Sequence, residues 1–442
     1  MLLVRKLLLG SVLLAASACS DPSPVRPPNG VATTCTAPTG SGTVHTASPV
    51  ADETWTAAGS PHLVQTSLSI AAGRTLTIEP CAVVKIYGGV GLLVQGALHA
   101  EGLADQPIRI ERAEATAWNS IETRAGADLR LAYTTVEGGG NSNGGRPTQF
   151  GAIDVRGNQD LAPQPIFIAD HVTVKGSQSL GVMLREGGAF APSSQALTVI
   201  GGVTFPILIW GRAAGTLPTG TYTGNAVDEV LLPAIGGRDD IKENTTLSER
   251  GVPYRIGETG AGSFTVGDKG ALPLLTIEPG VTLRFAKGVR LLVSKDGNSA
   301  IGAIHAEGTA DKPIVFTSAE GSPARGDWPG ILVAGTPDPR NTIAYAKISY
   351  AGGLSGISSF DCPSGMTFAD EAAVIIYGGK PATAFVNNTT IDNSGGDGIV
   401  RGWTGEPIDF LATNTFTKVA RCNQTFPKPS VGVCPNPAPC PK

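Results

Sequence analysis

A long internal duplication is the feature that most restricts the fold of this chain. The segment LTIEPCAVVKIYGG at 76–89 returns as LTIEPGVTLRFAKG at 275–288. Farther along, GALHAEGLADQPIRI at 96–110 returns as GAIHAEGTADKPIVF at 302–316. Short insertions separate the matched blocks and fall in turn-like stretches, where a repeat protein tolerates them. The chain is therefore predicted to contain two copies of one structural unit.

Each copy is built from short aliphatic runs. Units such as LTI, VTLRF, RLLV, AIHA and IAYAKI are separated by Gly, Pro, Asn and Asp, which is the pattern of strands and turns. Beyond the N-terminus, no stretch keeps the 3.6-residue hydrophobic period of a helix. The 58 glycines and the charged fraction of only 16% also disfavour a helical protein. The folded part is predicted to be nearly all-β.

Two all-β architectures are compatible with such runs, namely a sandwich or barrel of antiparallel hairpins and a parallel solenoid. Hairpins need tight Asn-Gly or Asp-Gly turns between alternating strands. The joints here are irregular instead, and units of about 20–25 residues recur, which is typical of a stacked coil. The parallel solenoid is therefore favoured.

Three segments carry a resemblance to a known family. LTIEPGVTLRFAKG, GAIHAEGTADKPIVFTS and the later DNSGGDGIV resemble the right-handed parallel β-helix repeat lipoproteins of bacteria. The resemblance extends from about Asp52 to about Cys422. It implies a right-handed parallel β-helix with an internal duplication, placed after a lipoprotein signal peptide and a flexible tether. Such motifs are structural signatures and indicate a fold more than an activity.

The N-terminus has the pattern of a signal peptide. Arg5 and Lys6 precede the apolar run LLLGSVLLAA, which is too short to cross a hydrocarbon layer of about 30 Å as a helix. The stretch Ala16–Cys19 resembles a bacterial lipobox, although alanine occupies position 16 where leucine is commoner. The resemblance implies that Cys19 is lipidated and becomes the mature N-terminus, with ordinary secretory cleavage as the other interpretation. Ser20 after this cysteine implies export to the outer membrane.

These patterns predict five segments. They are a signal peptide at 1–18, the lipidated cysteine with a Pro/Ser-rich tether at 19–51, the first β-helix half at 52–240, the second half at 241–425, and a Cys/Pro-rich tail at 426–442.

The cysteine count supports lipidation and disulfide bonds together. Seven cysteines is an odd number, and a lipid on Cys19 leaves six to pair in an oxidising compartment. The six disulfide candidates are Cys35, Cys81, Cys362, Cys422, Cys434 and Cys440.

A solenoid has two open ends that must be capped, and this suggests which cysteines pair. Cys81 occupies the position of Gly280 in the other copy and belongs to an early rung. The hypothesis is that Cys35 bonds Cys81 across the N-terminal end. At the far end, the hypothesised pairs are Cys362–Cys422 and Cys434–Cys440. Six cysteines allow fifteen connectivities, so the sequence leaves the others open.

Candidate catalytic residues are few. β-Helices resemble pectate lyases and polygalacturonases, which cleave acidic polysaccharides with clustered aspartates, and this resemblance draws attention to two groups. The candidates are Asp392 and Asp397 with Arg401, and Asp239 and Asp240 in the segment RDDI at 238–241. Turn formation is the favoured interpretation of both, because Asp is a natural turn former and adjacent strand residues face opposite ways. No catalytic residue, cofactor or metal site is predicted.

Recurring aromatic residues have two interpretations. His99 and His305 occupy the same slot of the HAEG element, which predicts ordinary strand or turn positions. Trp118 and Trp328 also recur and are predicted to pack under a loop, the alternative being an exposed surface that stacks on sugar rings. Two further tryptophans lack an obvious counterpart in the other copy, namely Trp210 and Trp403.

Compartment and missing motifs together limit the function. A net charge of −4, with no Lys/Arg cluster beyond the first six residues, disfavours nucleic acid as a partner. The main prediction is a non-enzymatic, lipid-anchored cell-envelope protein that presents an elongated surface for adhesion, envelope structure or polysaccharide binding. Its partners would be the membrane, through the lipid, and a polysaccharide or another envelope protein. The alternative is a polysaccharide lyase or glycoside hydrolase acting on an acidic polysaccharide, which would need a groove where an Asp pair and an Arg or Lys converge from neighbouring rungs.

Overall fold

The computed structural model describes residues 34–159, 161–294, 300–363 and 369–441. The predicted signal peptide and Cys19 lie outside these ranges. Within them, no helix has both the length and the apolar character required to cross a membrane.

The described chain is almost entirely β-strand. The strands up to the end of the first copy are β1 (Thr43–His45), β2 (Glu53–Trp55), β3 (His62–Val64), β4 (Leu68–Ile70), β5 (Thr75–Ile78), β6 (Val83–Ile86), β7 (Leu92–Val94), β8 (Ala97–Glu101), β9 (Ile108–Arg112), β10 (Ile121–Thr123), β11 (Asp128–Ala132), β12 (Thr134–Glu137), β13 (Gly151–Arg156), β14 (Ile166–Asp170), β15 (Thr173–Lys175), β16 (Leu180–Arg185), β17 (Leu197–Ile200), β18 (Ile207–Ile209), β19 (Gly220–Thr221) and β20 (Val230–Leu232).

The second copy continues the series. Its strands are β21 (Thr245–Leu247), β22 (Tyr254–Ile256), β23 (Gly262–Val266), β24 (Leu274–Ile277), β25 (Thr282–Phe285), β26 (Val289–Val293), β27 (Ala303–Glu307), β28 (Ile314–Ser318), β29 (Ile331–Gly335), β30 (Thr342–Ala344), β31 (Ala346–Ser349), β32 (Asp361–Cys362), β33 (Ala372–Gly378), β34 (Val386–Asn387), β35 (Thr390–Asp392), β36 (Asp397–Gly402), β37 (Thr415–Thr417) and β38 (Phe426–Pro427). The helical segments described are short 3₁₀ helices at Ala57–Gly59, Pro147–Gln149 and Gly211–Thr216.

Five parallel sheets contain all of these strands except β32 and β38, which pair antiparallel. Sheet I is five-stranded (β2, β5, β8, β11, β14), and sheet II is eight-stranded (β1, β3, β6, β9, β12, β15, β17, β19). Sheet III has 13 strands and runs through both copies (β4, β7, β10, β13, β16, β18, β20, β22, β25, β28, β31, β35, β37). Sheets IV (β21, β24, β27, β30, β34) and V (β23, β26, β29, β33, β36) belong to the second copy.

Successive strands of a sheet come from successive turns of the chain, so the fold is the predicted right-handed parallel β-helix. Alternate side chains of each strand point inward and stack on the equivalent residue of the next rung. One column of facing residues runs the whole length of sheet III: Leu68, Leu92, Ile121, Ile153, Val182, Ile207, Val230, Tyr254, Leu283, Phe316, Ile348, Ile391 and Phe416. This stacked interior is the hydrophobic core that the duplicated aliphatic runs predicted.

The two copies use the sheets in a shifted order. Along the first copy the chain passes through sheets I, II and III in turn, and along the second through IV, III and V. His62 on β3 and Tyr254 on β22 are equivalent in the repeat, yet β3 belongs to sheet II and β22 to sheet III. Val230 of the first copy lies opposite Tyr254 in the register of sheet III. The second copy is therefore turned by one face about the coil axis relative to the first.

The β-helix begins earlier than the predicted boundary at 52. Strand β1 pairs in parallel with β3, with Thr43 opposite His62, so part of the segment 19–51 belongs to the first rung and is not tether. The disulfide bond between Cys35 and Cys81 is present, as hypothesised. Cys81 has φ = 66° and its counterpart Gly280 has φ = 90°, so both occupy a left-handed corner and the cysteine replaces a glycine where the end needs a crosslink.

Three aromatic rings close the N-terminal opening of the coil. His45 stacks on Trp55 with ring centroids 4.2 Å apart, and Trp55 stacks on His62 at 5.2 Å. The Nε2 atom of His62 lies 2.9 Å from the carbonyl oxygen of Thr56, which can only accept, so Nε2 carries the hydrogen. The Nδ1 atom of His62 then accepts from Nε2 of His45 at 3.0 Å. His62 is therefore neutral in this arrangement, and the Nδ1 atom of His45 lies 3.5 Å from the Glu53 carboxylate.

The stability of this end is expected to fall with acid. Burial lowers the pKa of both His45 and His62 below the ordinary value of 6.5. Below pH 6.5 the unfolded chain binds protons that the folded end does not, so stability is lost as the pH falls toward the two folded pKa values. The loss is up to about 1.4 kcal/mol per pH unit for each histidine. Hydrogen exchange of β1–β3 across this pH range should show it, and a His45→Gln/His62→Gln variant should remove the dependence.

The C-terminal end has a different connectivity from the hypothesised one. Cys362 bonds Cys434 and Cys422 bonds Cys440, with Cα–Cα distances of 5.4 and 5.2 Å. The reason is that the tail does not leave the coil after the last rung. Strand β38 turns back and pairs with β32, so the chain beyond it passes Cys362 before it returns to Cys422. The pairs Cys362–Cys422 and Cys434–Cys440 were wrong.

Candidate functional site

The predicted aspartate and arginine candidates of the second copy do not form a site together. Asp392 lies at the end of β35, where its carboxylate accepts from the Thr417 hydroxyl and from the Asn393 amide, both at 2.7 Å. Asp397 begins β36, is 2% exposed, and accepts from the backbone N–H of Cys422 at 2.8 Å. Asp397 therefore helps to attach the tail to the last described rungs, and Asp392 forms hydrogen bonds at a corner.

Arg401 closes the C-terminal end of the coil. It occupies the inward-facing position that Leu184 has in the first copy, because β36 pairs with β33 as β16 pairs with β13. Its guanidinium donates to the carbonyl oxygens of Thr425 and Ile408, the latter at 2.8 Å. Burial lowers the pKa of Arg401 to about 10. An arginine that donates to backbone carbonyls at an open end is a cap, a role that the sequence did not predict for Arg401.

Asp239 and Asp240 also serve the backbone. Asp239 Oδ2 accepts from the N–H of Ile235 at 3.2 Å, and Asp240 Oδ1 accepts from the N–H of Gly237 at 2.9 Å. Burial raises the pKa of Asp239 to about 6. Both carboxylates stabilise the turn that joins β20 to β21, which is the interpretation favoured from the sequence.

The recurring histidines and tryptophans occupy the kinds of position that the sequence predicted. His99 on β8 and His305 on β27 sit in register with their neighbours on the outer side of sheets I and IV, as ordinary strand residues. Trp118 and Trp328 are fully buried, and each indole donates at 2.9 Å to the carbonyl of the last residue of a strand, Glu137 in one copy and Ser349 in the other. They anchor the loop that follows.

Tryptophan cannot provide a sugar-stacking surface here. All five tryptophans are buried, with the most exposed, Trp210, at 7%. Trp210 packs with Met183 and Leu208 on the outer side of sheet III, and Trp403 packs in the main core. The tryptophans therefore contribute nothing to the exposed surface of aligned Trp and Tyr that one interpretation required, and any glycan contact must rest on other groups.

A polar cavity lies on the outer side of sheet III, beneath the loop 138–150. The loop leaves β12, crosses the sheet and reaches the turn after β22, where the Thr148 hydroxyl donates to Glu258 at 2.8 Å. The cavity between loop and sheet has a volume of about 280 Å³. Its lining is Asn119, Ser120, Glu122, Asn141, Asn143, Gln149, Phe150, Gly151, Asp154 and Arg185. We call it the loop cavity.

Two carboxylates and an arginine form the floor of the loop cavity. Glu122 and Asp154 are register partners on the adjacent strands β10 and β13, so their side chains emerge side by side on the outer face. Arg185 on the next strand donates to both oxygens of Asp154, at 3.1 and 2.6 Å. Burial raises the pKa of Asp154, although the bonds from Arg185 oppose that shift. Arg124 pairs with Glu122.

One hydrogen-bond acceptor in the loop cavity has no partner. The Asn119 amide nitrogen donates to the Gly89 carbonyl at 2.7 Å, which fixes the orientation of the side chain. The Oδ1 atom of Asn119 is buried, and no described residue donates to it. Buried polar atoms are nearly always satisfied, because leaving one unpaired costs about 1–3 kcal/mol. A hydroxyl group that enters the cavity would supply the missing donor.

The second copy shows that the fold does not require these charges. Ile121 corresponds to Ile331 in the repeat, which makes Leu332 the counterpart of Glu122 and Ile375 the counterpart of Asp154. Leu332 and Ile375 are fully buried in an apolar cluster on the outer side of sheet V. Apolar residues fill the same positions in an otherwise similar coil, so the coil itself does not require carboxylates there.

The sequence-based search missed Glu122, Asp154, Arg185 and Asn119. They are spread over three rungs and lie in unremarkable strands, so no motif marks them. The mismatch between Glu122 and Leu332 was available from the duplication, but it becomes informative only when the outward direction of both residues is known. The condition stated for an enzyme was an Asp pair with an Arg or Lys from neighbouring rungs, and the loop cavity has one Asp and one Glu with Arg185 in such an arrangement.

Comparison with known proteins supports the fold. A family model described as a pectate-lyase-like beta helix domain matches residues 240–366. No curated protein and no solved structure is significantly similar to the chain. The matched residues lie in the second copy, while the loop cavity lies in the first, so the match supports a β-helix repeat fold and leaves the cavity to be interpreted from its own chemistry.

Proposed function

We propose that the protein is a lipid-anchored, non-enzymatic protein of the bacterial cell envelope that binds polysaccharide in the loop cavity. The observation that carries this proposal is the lining of the cavity, which consists largely of amide, hydroxyl and carboxylate groups. One of the acceptors, Asn119 Oδ1, is buried and has no donor among the described residues. Sugars present many hydroxyl groups that both donate and accept. At about 280 Å³ the cavity is near the lower limit for small-molecule sites, about 300 Å³. It suits a chain end or a side branch of a polymer.

The state of the carboxylates favours binding over cleavage. A general acid or base must exchange a proton with the substrate. Both oxygens of Asp154 are held by Arg185, and Glu122 is paired with Arg124. In this arrangement the two arginines hold the carboxylates of Asp154 and Glu122 in fixed orientations. The carboxylate oxygens remain able to accept further hydrogen bonds from a ligand in the cavity.

Polysaccharide binding can be tested with residues 20–442, folded under oxidising conditions. We expect the protein to retain one or more members of a panel of neutral and acidic polysaccharides, with and without Ca²⁺, and to release no new reducing or unsaturated ends. A Glu122→Gln/Gln149→Ala variant should bind about tenfold more weakly, because it removes a charged and a neutral hydrogen-bond partner. Glu111→Gln, on the outer side of sheet II, is the matched control. Equal polysaccharide affinity of the Glu122→Gln/Gln149→Ala variant and the Glu111→Gln control would contradict binding in the loop cavity.

The second candidate function is a polysaccharide lyase or glycoside hydrolase that acts on an acidic polysaccharide. The observation in its favour is the placement of Glu122 and Asp154 side by side, with Arg185 on the next rung. Paired carboxylates are the usual groups of glycoside hydrolysis. Release of new chain ends by the wild type, abolished in Asp154→Asn, would replace the binding proposal with this one.

The envelope location rests on the N-terminal sequence. Lipidation of Cys19 would tether the β-helix to a membrane, and Ser20 favours the outer membrane. Replacing Cys19 by serine is expected to abolish incorporation of labelled palmitate and to move the protein from the membrane fraction to the soluble fraction. A Cys19→Ser protein that stays membrane-bound and labelled would refute lipidation at this residue.

A further inference from the structure

The second copy has a cavity of its own, on a different face of the coil. It has a volume of about 440 Å³ and lies on the outer side of sheet V. Its lining is Gly236, Gly237, Ser263, Thr265, Arg290, Leu292, Gly356, Ile357 and Tyr377. We call it the arginine cavity.

The two cavities share one plan. The loop 138–150 joins β12 to β13, and the segment 350–371 joins the equivalent strands β31 and β33. Each segment contributes lining residues to a cavity on the third sheet of its own copy. Because the second copy is turned by one face, the cavities open on different sides of the coil. Of the segment 350–371, the described residues Gly356 and Ile357 line the arginine cavity, and residues 364–368 lie outside the described residues.

Arg290 gives the arginine cavity its charge. Its Nε donates to the Ser263 hydroxyl at 2.8 Å, and its Nη1 donates to the carbonyl of Ser355 at 2.9 Å. Both partners are neutral, and two of the five N–H groups of the guanidinium are used. In the described part of the chain, no carboxylate lies within salt-bridge distance of Arg290, whereas Arg185 in the loop cavity is paired with Asp154.

The remaining walls suit an anion that carries hydroxyl groups. Ser263 and Thr265 present hydroxyls beside Arg290, and Tyr377 supplies an aromatic wall that is held edge-on by Phe360, with ring centroids 5.2 Å apart. Asp239 and Asp240, which lie in the same turn as Gly236 and Gly237, and Asp370, beside Ile357, accept from backbone N–H groups and are not among the described lining residues. A guanidinium with free N–H groups binds a carboxylate more strongly than a neutral group, because the hydrogen bonds are charge-assisted.

We propose that the arginine cavity binds the carboxylate of a hydroxylated acid, with Arg290 as the anion-binding residue. The carboxylate accepts from the unpaired N–H groups of Arg290. The hydroxyl groups of the same molecule bond Ser263 and Thr265, and its carbon skeleton packs against Tyr377. The inference concerns a second site and does not depend on the loop cavity. The β-helix then carries two binding sites on different faces, and the two sites prefer ligands of different charge.

Calorimetric titration of the oxidised protein, residues 20–442, tests this proposal. The probes are glucuronate, a uronic-acid oligomer, and glucose as the neutral match. We expect the acids to bind, glucose to bind at least about tenfold more weakly, and the affinity for the acids to fall with added salt. Comparison of the monomer with the oligomer distinguishes a free acid from a polymer unit as the source of the carboxylate.

Three variants locate the binding. Arg290→Met keeps the aliphatic stem and removes the charge, so it should lose at least about tenfold in affinity for the acids. Arg290→Lys keeps the charge and should retain an intermediate affinity, which a variant with a collapsed cavity would not. Arg109→Met, on the outer side of sheet II, should bind as the wild type does. Undiminished acid binding by Arg290→Met, or no acid binding by the wild type, would overturn the proposal, whatever the loop cavity does with neutral polysaccharide.

Discussion

Replacement of Trp328 by alanine is expected to lower the free energy of unfolding of the second copy by about 3–5 kcal/mol. The side chain is fully buried and stacks on Phe285 at a centroid distance of 4.2 Å with nearly parallel rings. Its indole N–H also satisfies the carbonyl of Ser349 at the end of β31. The substitution therefore leaves a large cavity in the coil and an unpaired carbonyl at the start of the segment 350–371.

Chemical denaturation and hydrogen exchange measured by mass spectrometry would check this result. Because rungs of a solenoid contact only their neighbours, protection should be lost around β25, β29 and β31 and kept near the N-terminus. Trp328→Phe is the matched variant: it preserves an aromatic ring beside Phe285 and loses the hydrogen bond and a smaller part of the packed volume, so it should cost about 1–3 kcal/mol, less than the alanine variant. Equal losses for the two variants would contradict the packing account. Trp118→Ala should lower the hydrogen-exchange protection of the first copy instead.

Removal of the Cys35–Cys81 bond has the second large expected effect. The bond closes a loop across 46 positions, which corresponds to about 4 kcal/mol in the chain-entropy model, and native disulfides typically contribute about 2–4 kcal/mol. A Cys35→Ala/Cys81→Ala variant should therefore unfold its first rungs at lower denaturant concentration. Hydrogen exchange of β1–β6 is the direct measurement, and reduction of the wild type should reproduce the effect in these strands.

A second variant separates the crosslink from the backbone conformation. Cys81 has φ = 66°, a region in which alanine is strained by about 1–2 kcal/mol and glycine is not. Cys35→Ala/Cys81→Gly, which restores the residue that the other copy has at Gly280, should be about 1 kcal/mol more stable than the double alanine variant. If the two variants are equally stable, the corner is not the reason that glycine occurs there.

Much of the fold could be predicted because it depends on local features. Short aliphatic runs and the turn-forming residues between them define a rung. The recurrence of LTIEP indicated the second copy. The pair Cys35–Cys81 followed from the need to cap an open end. The C-terminal pairs could not be predicted, because the tail reverses at β38 and pairs with β32, a contact between segments far apart in the chain.

The candidate site was beyond prediction for a related reason. Asp397 and Arg401 stood out because they lie close together in the sequence, and both turned out to bond the backbone at the end of the coil. Glu122, Asp154 and Arg185 converge because β10, β13 and β16 stack in one register. A shift of one residue in any of these strands would turn its side chains to the opposite face. Register depends on the packed coil and not on any short segment.

The order of residues along the chain was enough to establish that this protein is a duplicated, cysteine-capped β-helix, because strand period, turn chemistry and repeats are local properties. It could not establish that the second copy is turned by one face. That turn arises where Val230 meets Tyr254 in the continuous sheet III, a pairing between residues that are not equivalent in the repeat. As a result, two similar sequences place their cavities on different sides of the coil and surround them with different charges. Long-range strand pairing determines which face each residue occupies, and so which residues can act together.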